Sequence, residues 1–339
     1  MSFFGGGTDY PTWFRENGGA VLAATINRFC YINCRYLPPF VQRETRAVCS
    51  QMENVEGNWT IKRPVIPTVL EWLGFEGEVE IHHNGDLPAR SGLGSSSAFT
   101  VGLLHALHAL RGQMVSKREV AAQAIHVEQH LLAEAVGVQD QIETAYGGLN
   151  LIKISPDGAF HVSPVMISAE RMQSLQDHLM LFYTGVARAS TVAADQIAAI
   201  PYKQRELTAM RQMVDEALAI LTSERELSDF GRLLHEAWKI KRTLSATVAP
   251  PFIDEIYDRA RRAGAIGGKL LGAGGGGFML LFAAPDRRQA VLDALADLLI
   301  VPIAFERNGS QLILCDPEQY SPASHTRPDF VASADDLAR

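Results

Sequence analysis

The chain has 339 residues, 31 Lys and Arg against 38 Asp and Glu, a net charge of −7 and 47% hydrophobic residues. This length suits two domains of ~100–200 residues, and the apolar content supplies a core for each, which excludes a disordered, collagenous or small disulfide-scaffold protein. The acidic balance excludes binding of nucleic acid or an anionic membrane through a broad basic surface, so any phosphate recognition has to be local.

The start, MSFFGGGTD, lacks the charged and apolar regions of a signal peptide, and no run approaches the ~18 apolar residues of a membrane span. A cytoplasmic protein with no membrane or nucleic-acid partner is expected. Cys30, Cys34, Cys49 and Cys315 form no CxxC pair, which predicts reduced, mostly buried thiols rather than a metal site.

In chain order, β-branched and aromatic residues predict strands at Ala20–Ile26 and Tyr31–Tyr36. Alternation predicts another at Val79–His83, before Asn84-Gly85-Asp86 turns the chain. Ala98, Val101, Leu104 and Leu107 recur at spacing three and predict a helix over Ser95–Leu110. Ser116, with Glu119 three residues on, reads as a capping box opening a helix that runs to about Val136. Gly147-Gly148 and a strand at Leu149–Ile154 close the first half, and the domain boundary is placed at 175, giving domains 1–175 and 176–339. The second half reads as a strand at His178–Tyr183, a helix carrying Leu207, Met210, Val214, Leu218 and Leu221, and a helix at Asp254–Ala263. A strand at Phe278–Phe282, a helix at Gln289–Leu299 and a last strand at Gln311–Cys315 follow. The class is α+β, without a repeat of fixed period. The polar tail after Tyr320 is expected to be loose.

Twelve of the 28 glycines fall in three short stretches: residues 5–7, Gly92 with Gly94, and residues 267–277. The middle stretch, Leu87-Pro-Ala-Arg-Ser-Gly-Leu-Gly-Ser-Ser-Ser-Ala98, lies between a predicted strand and a predicted helix. There glycines admit close backbone approach and the helix N–H groups favour an oxyanion. Its serines could cap the helix, bind phosphate or reach Mg²⁺. It is neither a Walker A loop nor GxGxxG, which removes a Rossmann dehydrogenase from consideration. A turn with a serine cap remains the plain alternative.

Three ordered motifs, SFFGGGTDYP, LPARSGLGSSSAF and KLLGAGGGGF, together resemble the signatures of the GHMP small-molecule kinases. With GVQDQIETAYGG, the chain looks like the bacterial D-glycero-D-manno-heptose 7-phosphate kinase subgroup. The resemblance implies a GHMP kinase fold, with a ribosomal protein S5 domain 2-like N-terminal domain and a ferredoxin-like C-terminal domain. It also implies transfer of the γ-phosphoryl group of ATP to an anomeric hydroxyl, Mg²⁺ as cofactor, and a sugar phosphate and ATP as the small-molecule partners. A homodimer is compatible with it.

By the same resemblance, Arg90, Ser91, Gly92, Leu93, Gly94, Ser95, Ser96 and Ser97 hold the nucleotide, and Ser96 with Glu128 holds Mg²⁺, Glu134 being the second choice. Asp140, seven residues before Gly147-Gly148, becomes the catalytic base, a role a carboxylate near a hydroxyl can fill; an Asp there also suits a helix N-cap. Gly7, Thr8, Asp9, Arg28, Arg188, Gly274 and Gly275 are expected on the substrate side. Relatives carry an arginine nine positions before the aspartate that matches Asp9, a position this numbering does not contain. A preceding strand, Arg28 or Lys269 would have to provide that cation. A terminal phosphate calls for a cation such as Arg188 or one of Lys239, Lys241 and Arg242. Other readings are a kinase of fucose, an octose or a free hexose, and a non-catalytic sugar and nucleotide sensor.

Overall fold

The computed structural model describes residues 1–37, 44–48, 52–56, 64–75, 79–88, 91–186 and 191–316. Arg90, Arg188, Cys49 and the tail after Tyr320 lie outside the described residues. Among the described residues no helix is long and apolar enough to cross a membrane.

Strand β1 (Ser2–Phe4) buries both of its phenylalanines, and the first glycine cluster turns it into helix α1 (Pro11–Asn17). Pro11 occupies the first helical position, where a missing N–H is harmless. β2 (Gly19–Ala24) returns antiparallel to β1 and is buried on both faces. Its period of two sends Val21 and Ala23 into one core and Ala20, Leu22 and Ala24 into another. Strands β3 (Cys30–Tyr36), β4 (Glu44–Val48) and β5 (Met52–Glu56), helix α2 (Val65–Trp72) and strand β6 (Val79–Gly85) follow. They form a sheet of order β3-β6-β4-β5 in which β4 and β6 run parallel.

Helix α3 (Ser95–Leu110) has the bounds its periodicity predicts, and Val101, Leu104 and Leu107 are fully buried. Helix α4 (Lys117–His126) carries the predicted capping box: Glu119 N–H donates to Ser116 Oγ at 3.2 Å and Ser116 N–H to Glu119 Oε2 at 2.8 Å. The helix does not run on to Val136. A π-turn takes over at Val127–Leu131, and Ala133 turns to φ +51°. Helix α5 (Gln139–Tyr146) and strands β7 (Leu149–Ile154) and β8 (Phe160–Pro164) complete an antiparallel sheet of order β1-β2-β7-β8.

The second half begins around α6 (Ala169–His178), inside which residue 175 falls, and continues into β9 (Leu179–Tyr183). Helices α7 (Thr191–Ala199), α8 (Gln204–Thr222), α9 (Leu227–Arg242) and α10 (Pro251–Arg262) precede β10 (Ala265–Leu270), β11 (Phe278–Ala283), α11 (Arg288–Ala294) and β12 (Leu299–Val301). The antiparallel strand order β10-β11-β9-β12, with helices in the two crossovers, is the split βαβ arrangement of ferredoxin-like folds.

The sheet β1-β2-β7-β8 separates two cores. On one face it packs α3, α4 and α5, and on the other α8, α9 and β11, so the halves share the second core. Phe230 of α9 meets Phe3 and Phe4 edge-on at centroid distances of 5.5 and 5.1 Å, an arrangement that favours the ring quadrupoles.

Three expectations are corrected. The helix expected to Leu299 stops at Ala294, because Leu299–Val301 pairs with the open edge of β9, where ladder hydrogen bonds outweigh helical continuation. Gln311–Cys315 is not a strand: Ile313 and Leu314 are 85% and 86% exposed and find no sheet face to bury. The described thiols are not mostly buried either, since Cys30 and Cys34 lie on the half-covered face of β3 and Cys315 is exposed.

Candidate active site

The second and third glycine clusters interlock backbone to backbone. A Cβ at Gly92 would lie 2.9 Å from Leu271 O, one at Gly272 2.6 Å from Gly92 Cα, and one at Gly277 2.1 Å from Ser91 O. Gly92 and Gly94 adopt φ of +83° and +71°, open to glycine at little cost. Gly94 caps α3 in a left-handed conformation and, having no side chain, leaves the helix start without a side-chain cap of its own. The N–H groups and positive dipole end of a 16-residue helix therefore face the mouth of the loop, the arrangement that suits a phosphate. Ser95 and Ser96 stand at this start, with Ser96 exposed and Leu93 packed toward the second core.

The third loop is itself pinned. Lys241 Nζ donates to Leu270 O at 2.8 Å and to Gly272 O, and Gln196 Nε2 donates to Ala273 O. Thr184 gives both its N–H and its hydroxyl to Gly277 O, each at 2.9 Å. Gly274 and Gly275 lie against Val248 and Val192.

Two carboxylates meet at the start of α5. Asp9 is buried; its Oδ1 accepts from Gly7 N–H at 2.9 Å and its Oδ2 from Gln139 N–H at 3.3 Å. A Cβ at Gly137 would fall 1.9 Å from Asp9 Oδ2, so this residue must lack a side chain for Asp9 to fit. Asp140 packs on the nucleotide loop, where a Cβ at Gly94 would lie 3.1 Å from its Cγ. Burial pushes the Asp9 carboxyl up to about 6 against the pull of the Gly7 N–H, and Asp140 adds to the rise. Thr8, expected on the substrate, is buried with its hydroxyl spent on Gly5 O at 2.7 Å and Ala20 O at 3.0 Å. It holds the turn that presents Asp9.

Glu128 enters from the π-turn and is 1% exposed. Its Oε2 accepts from Ser97 Oγ at 2.9 Å and from Gln141 Nε2, while Ser96 points outward. Its Oε1 is buried with no hydrogen bond of regular geometry among the described residues, although the Thr100 hydroxyl, which donates to Ser96 O at 3.3 Å, also acts on this carboxyl. Burial pushes its carboxyl up to about 7 against the pull of Thr100, Gln141 and Ser97. Glu134, the second choice, is exposed. A buried carboxylate oxygen in need of a partner, beside a hydroxyl and a phosphate-facing loop, fits a hard divalent cation that takes its remaining ligands from phosphates and water. Among the described residues no cluster of three His, Cys, Asp or Glu offers an all-protein metal cage. Buried polar atoms without partners among the described residues include Ser2 Oγ, Ser91 Oγ, Gln139 Oε1 and Gln141 Oε1. Such atoms normally find a protein, water or ligand partner.

Several expected cations are committed elsewhere. The Arg28 guanidinium lies on Asn27 O (3.1 Å) and Pro302 O, Lys239 pairs with Glu236 at 3.0 Å, and Arg242 pairs with Asp254 at 2.7 Å. Lys269 is buried with its Nζ donating to Phe3 O of β1 at 2.9 Å, two residues before the first glycine cluster. Ser97, rather than Ser96, was legible from the helix period, since it stands four and seven residues before Val101 and Leu104 on the buried face of α3.

Glu143, one turn along α5 from Asp140, is buried with Asn150 Nδ2 at 3.2 Å from its Oε2, and burial pushes its carboxyl up to about 7. A carboxyl whose folded value is raised keeps its proton where the unfolded chain has lost it, so its ionisation opposes folding as pH rises. Glu143→Gln removes that term. The variant is expected to gain stability relative to the unaltered protein as pH rises from about 4.5 to about 7, by up to about 3 kcal/mol, checked by urea unfolding of both at the two pH values. A difference that shrinks with pH would refute the sign.

Residues 60–148 match the GHMP kinases N terminal domain and residues 216–300 the GHMP kinases C terminal domain. The D-glycero-alpha-D-manno-heptose 7-phosphate kinase of Campylobacter jejuni is 27% identical over 309 residues, covering 87% of this chain and 90% of that protein. The mevalonate kinase of Pyrococcus horikoshii is 31% identical over 246 residues, 69% of this chain and 68% of its own. Among solved structures, a D-glycero-D-manno-heptose 1-phosphate kinase from Bacteroides thetaiotaomicron superposes with a TM-score of 0.72 at 23% identity, over 91% of this chain and 94% of that one. The interlocked glycine loops, the carboxylates at the start of α5 and these matches over both halves lead to one assignment: the chain belongs to the GHMP kinase family.

Proposed function

We propose that the protein transfers the γ-phosphoryl group of ATP to the anomeric hydroxyl of D-glycero-D-manno-heptose 7-phosphate, giving the 1,7-bisphosphate and ADP for nucleotide-activated heptose synthesis. The observation that carries the chemistry is the contact of the Asp140 carboxyl with Gly94 of the nucleotide loop, with Asp9 at the same helix start. The heptose 7-phosphate reading is supported by similarity to the Campylobacter jejuni enzyme along 87% of the chain.

Phosphoryl transfer asks for positioning and charge neutralisation more than covalent chemistry. The loop around Gly92–Gly94 and the N–H groups opening α3 cradle the phosphates. Glu128 and Ser97 would hold Mg²⁺, which when bound neutralises charge on the phosphates. Asp9, fixed by Gly7 and Gln139, accepts a hydrogen bond from a sugar hydroxyl. Asp140 takes the proton of the attacking hydroxyl as its oxygen bonds to the γ-phosphorus and the bridging bond to ADP breaks. The reaction belongs in the cytoplasm, where ATP and sugar phosphates are held.

The test is turnover with ATP and Mg²⁺ over a panel of heptose 7-phosphate, free heptose, fucose and mannose, followed by phosphorus NMR of the product. Heptose 7-phosphate is expected to be the preferred acceptor, with one new anomeric phosphate per ADP formed. Preference for a sugar without a terminal phosphate would overturn the substrate, and absence of transfer to any sugar would overturn the reaction.

A further inference from the structure

The π-turn that carries Glu128 inward also carries two imidazoles toward solvent. His126, the last residue of α4, is half-buried and His130 is exposed, whereas Glu128 between them is buried against Ser97. The two ring centroids lie 5.4 Å apart at an interplanar angle of 41°. On His126 packs the indole of Trp72, the last residue of α2, with centroids 5.6 Å apart, which limits the freedom of that imidazole.

Elsewhere the ring nitrogens of histidines are spent inside the protein. His105 meets Ser310 Oγ at 2.8 Å, His108 lies between Gln113 and Gln123, His178 bonds Ser174 O at 2.7 Å and His235 bonds the Tyr257 hydroxyl at 2.8 Å. Among the described residues no hydrogen bond engages His126 or His130. A free imidazole nitrogen is a ligand that suits copper, nickel and zinc, whereas magnesium prefers the oxygens around Glu128. Two imidazoles sharing one tetrahedral ion at about 2.0–2.1 Å have ring centroids about 5 Å apart, so the observed separation needs little adjustment. No third His, Cys, Asp or Glu among the described residues completes a cage, which leaves the other positions of such an ion to water and keeps it exchangeable.

We propose that His126 and His130 bind a transition-metal ion of the Cu²⁺, Ni²⁺ or Zn²⁺ class on the solvent side of the π-turn. The ion joins positions 126 and 130 across the turn that delivers Glu128, and so clamps the support of that carboxylate from outside. The bond from Leu132 N–H to Val127 O at 2.9 Å, which spans five residues, closes the same turn. The inference goes beyond the sugar kinase reading and does not depend on it, because binding and backbone opening are read without turnover.

Calorimetry of the full chain, prepared without an affinity tag, is expected to show saturable Ni²⁺ binding that Cu²⁺ exceeds in affinity and that excess Mg²⁺ leaves unchanged. Loss of an outer-shell partner already costs about 10–100-fold in metal affinity, so His126→Phe and His130→Gln, each removing a ligand, should weaken Ni²⁺ by at least about tenfold. Phenylalanine keeps a ring on Trp72, so its effect reports the nitrogen rather than the packing. With Ni²⁺ at about ten times its dissociation constant, hydrogen exchange over residues 127–132, followed by mass spectrometry, should slow by about tenfold, since opening of the turn releases the ion. In His130→Gln the same addition should leave exchange unchanged. Absence of saturable Ni²⁺ binding, or an affinity unchanged in both variants, would overturn the site. Binding with no slowing of exchange would overturn the clamp.

Discussion

Asp140→Asn lowers kcat by about 10²–10⁴-fold and leaves ATP affinity within about twofold. Asparagine keeps the volume that packs on Gly94 and can still cap or hydrogen-bond at the start of α5, so the loop is expected to keep its shape. It cannot take a proton from the attacking hydroxyl. Turnover measured at saturating sugar and ATP, with nucleotide affinity from calorimetry on the same preparation, checks both parts. Full rate in the variant would remove the base from Asp140 and leave the residue an orienting or capping role. A parallel collapse of ATP affinity would show instead that the carboxyl shapes the nucleotide loop.

The second large effect comes from a residue with no polar group. Gly277→Ala would put a methyl 2.1 Å from Ser91 O at φ +97°, so the nucleotide loop or the start of β11 has to move. Overpacking of this kind and a left-handed alanine each carry about 1–3 kcal/mol. The expected result is a rise of about 10–100-fold in KM for ATP, with a lowered melting temperature. Gly112→Ala is the control: its φ of +68° is also left-handed, but nothing lies within 4 Å of the added methyl. That variant should lose a little stability and no ATP affinity. Equal kinetic effects from the two would show that contact between the loops is not what sets ATP binding.

Part of the site's backbone was readable because glycine clusters advertise close contact, while Asp140 and Glu128 came from the family resemblance; they stand in the first turn of α5 and in the π-turn after α4. Helix α3 was readable to its ends because small and apolar residues repeat on one face without a breaker. What sequence reading did not show is which distant segments touch. Nothing local shows that Lys269 reaches the first strand while Arg28 turns to Pro302; that is decided by β10 passing β1 in a core shared by the two halves. The stretch Leu298–Val301 is equally apolar as helix or strand, and only the free edge of β9 decides it. Lys241, a candidate for a terminal phosphate by its charge, is instead held on carbonyls of the third glycine loop, which no local pattern announces.

The π-turn at Val127–Leu131 holds one residue more than an α-helical path requires, and it is there that Glu128 turns inward to Ser97. Each residue of an α-helix advances the chain by about 100°. Losing one residue from this turn would let α4 run on unbroken and would change by about that angle the direction in which the carboxylate leaves the helix. The aim of this carboxylate is thus stored as an insertion in the length of the chain. Point substitutions in a lineage can erase the group, whereas re-aiming it takes a change of length.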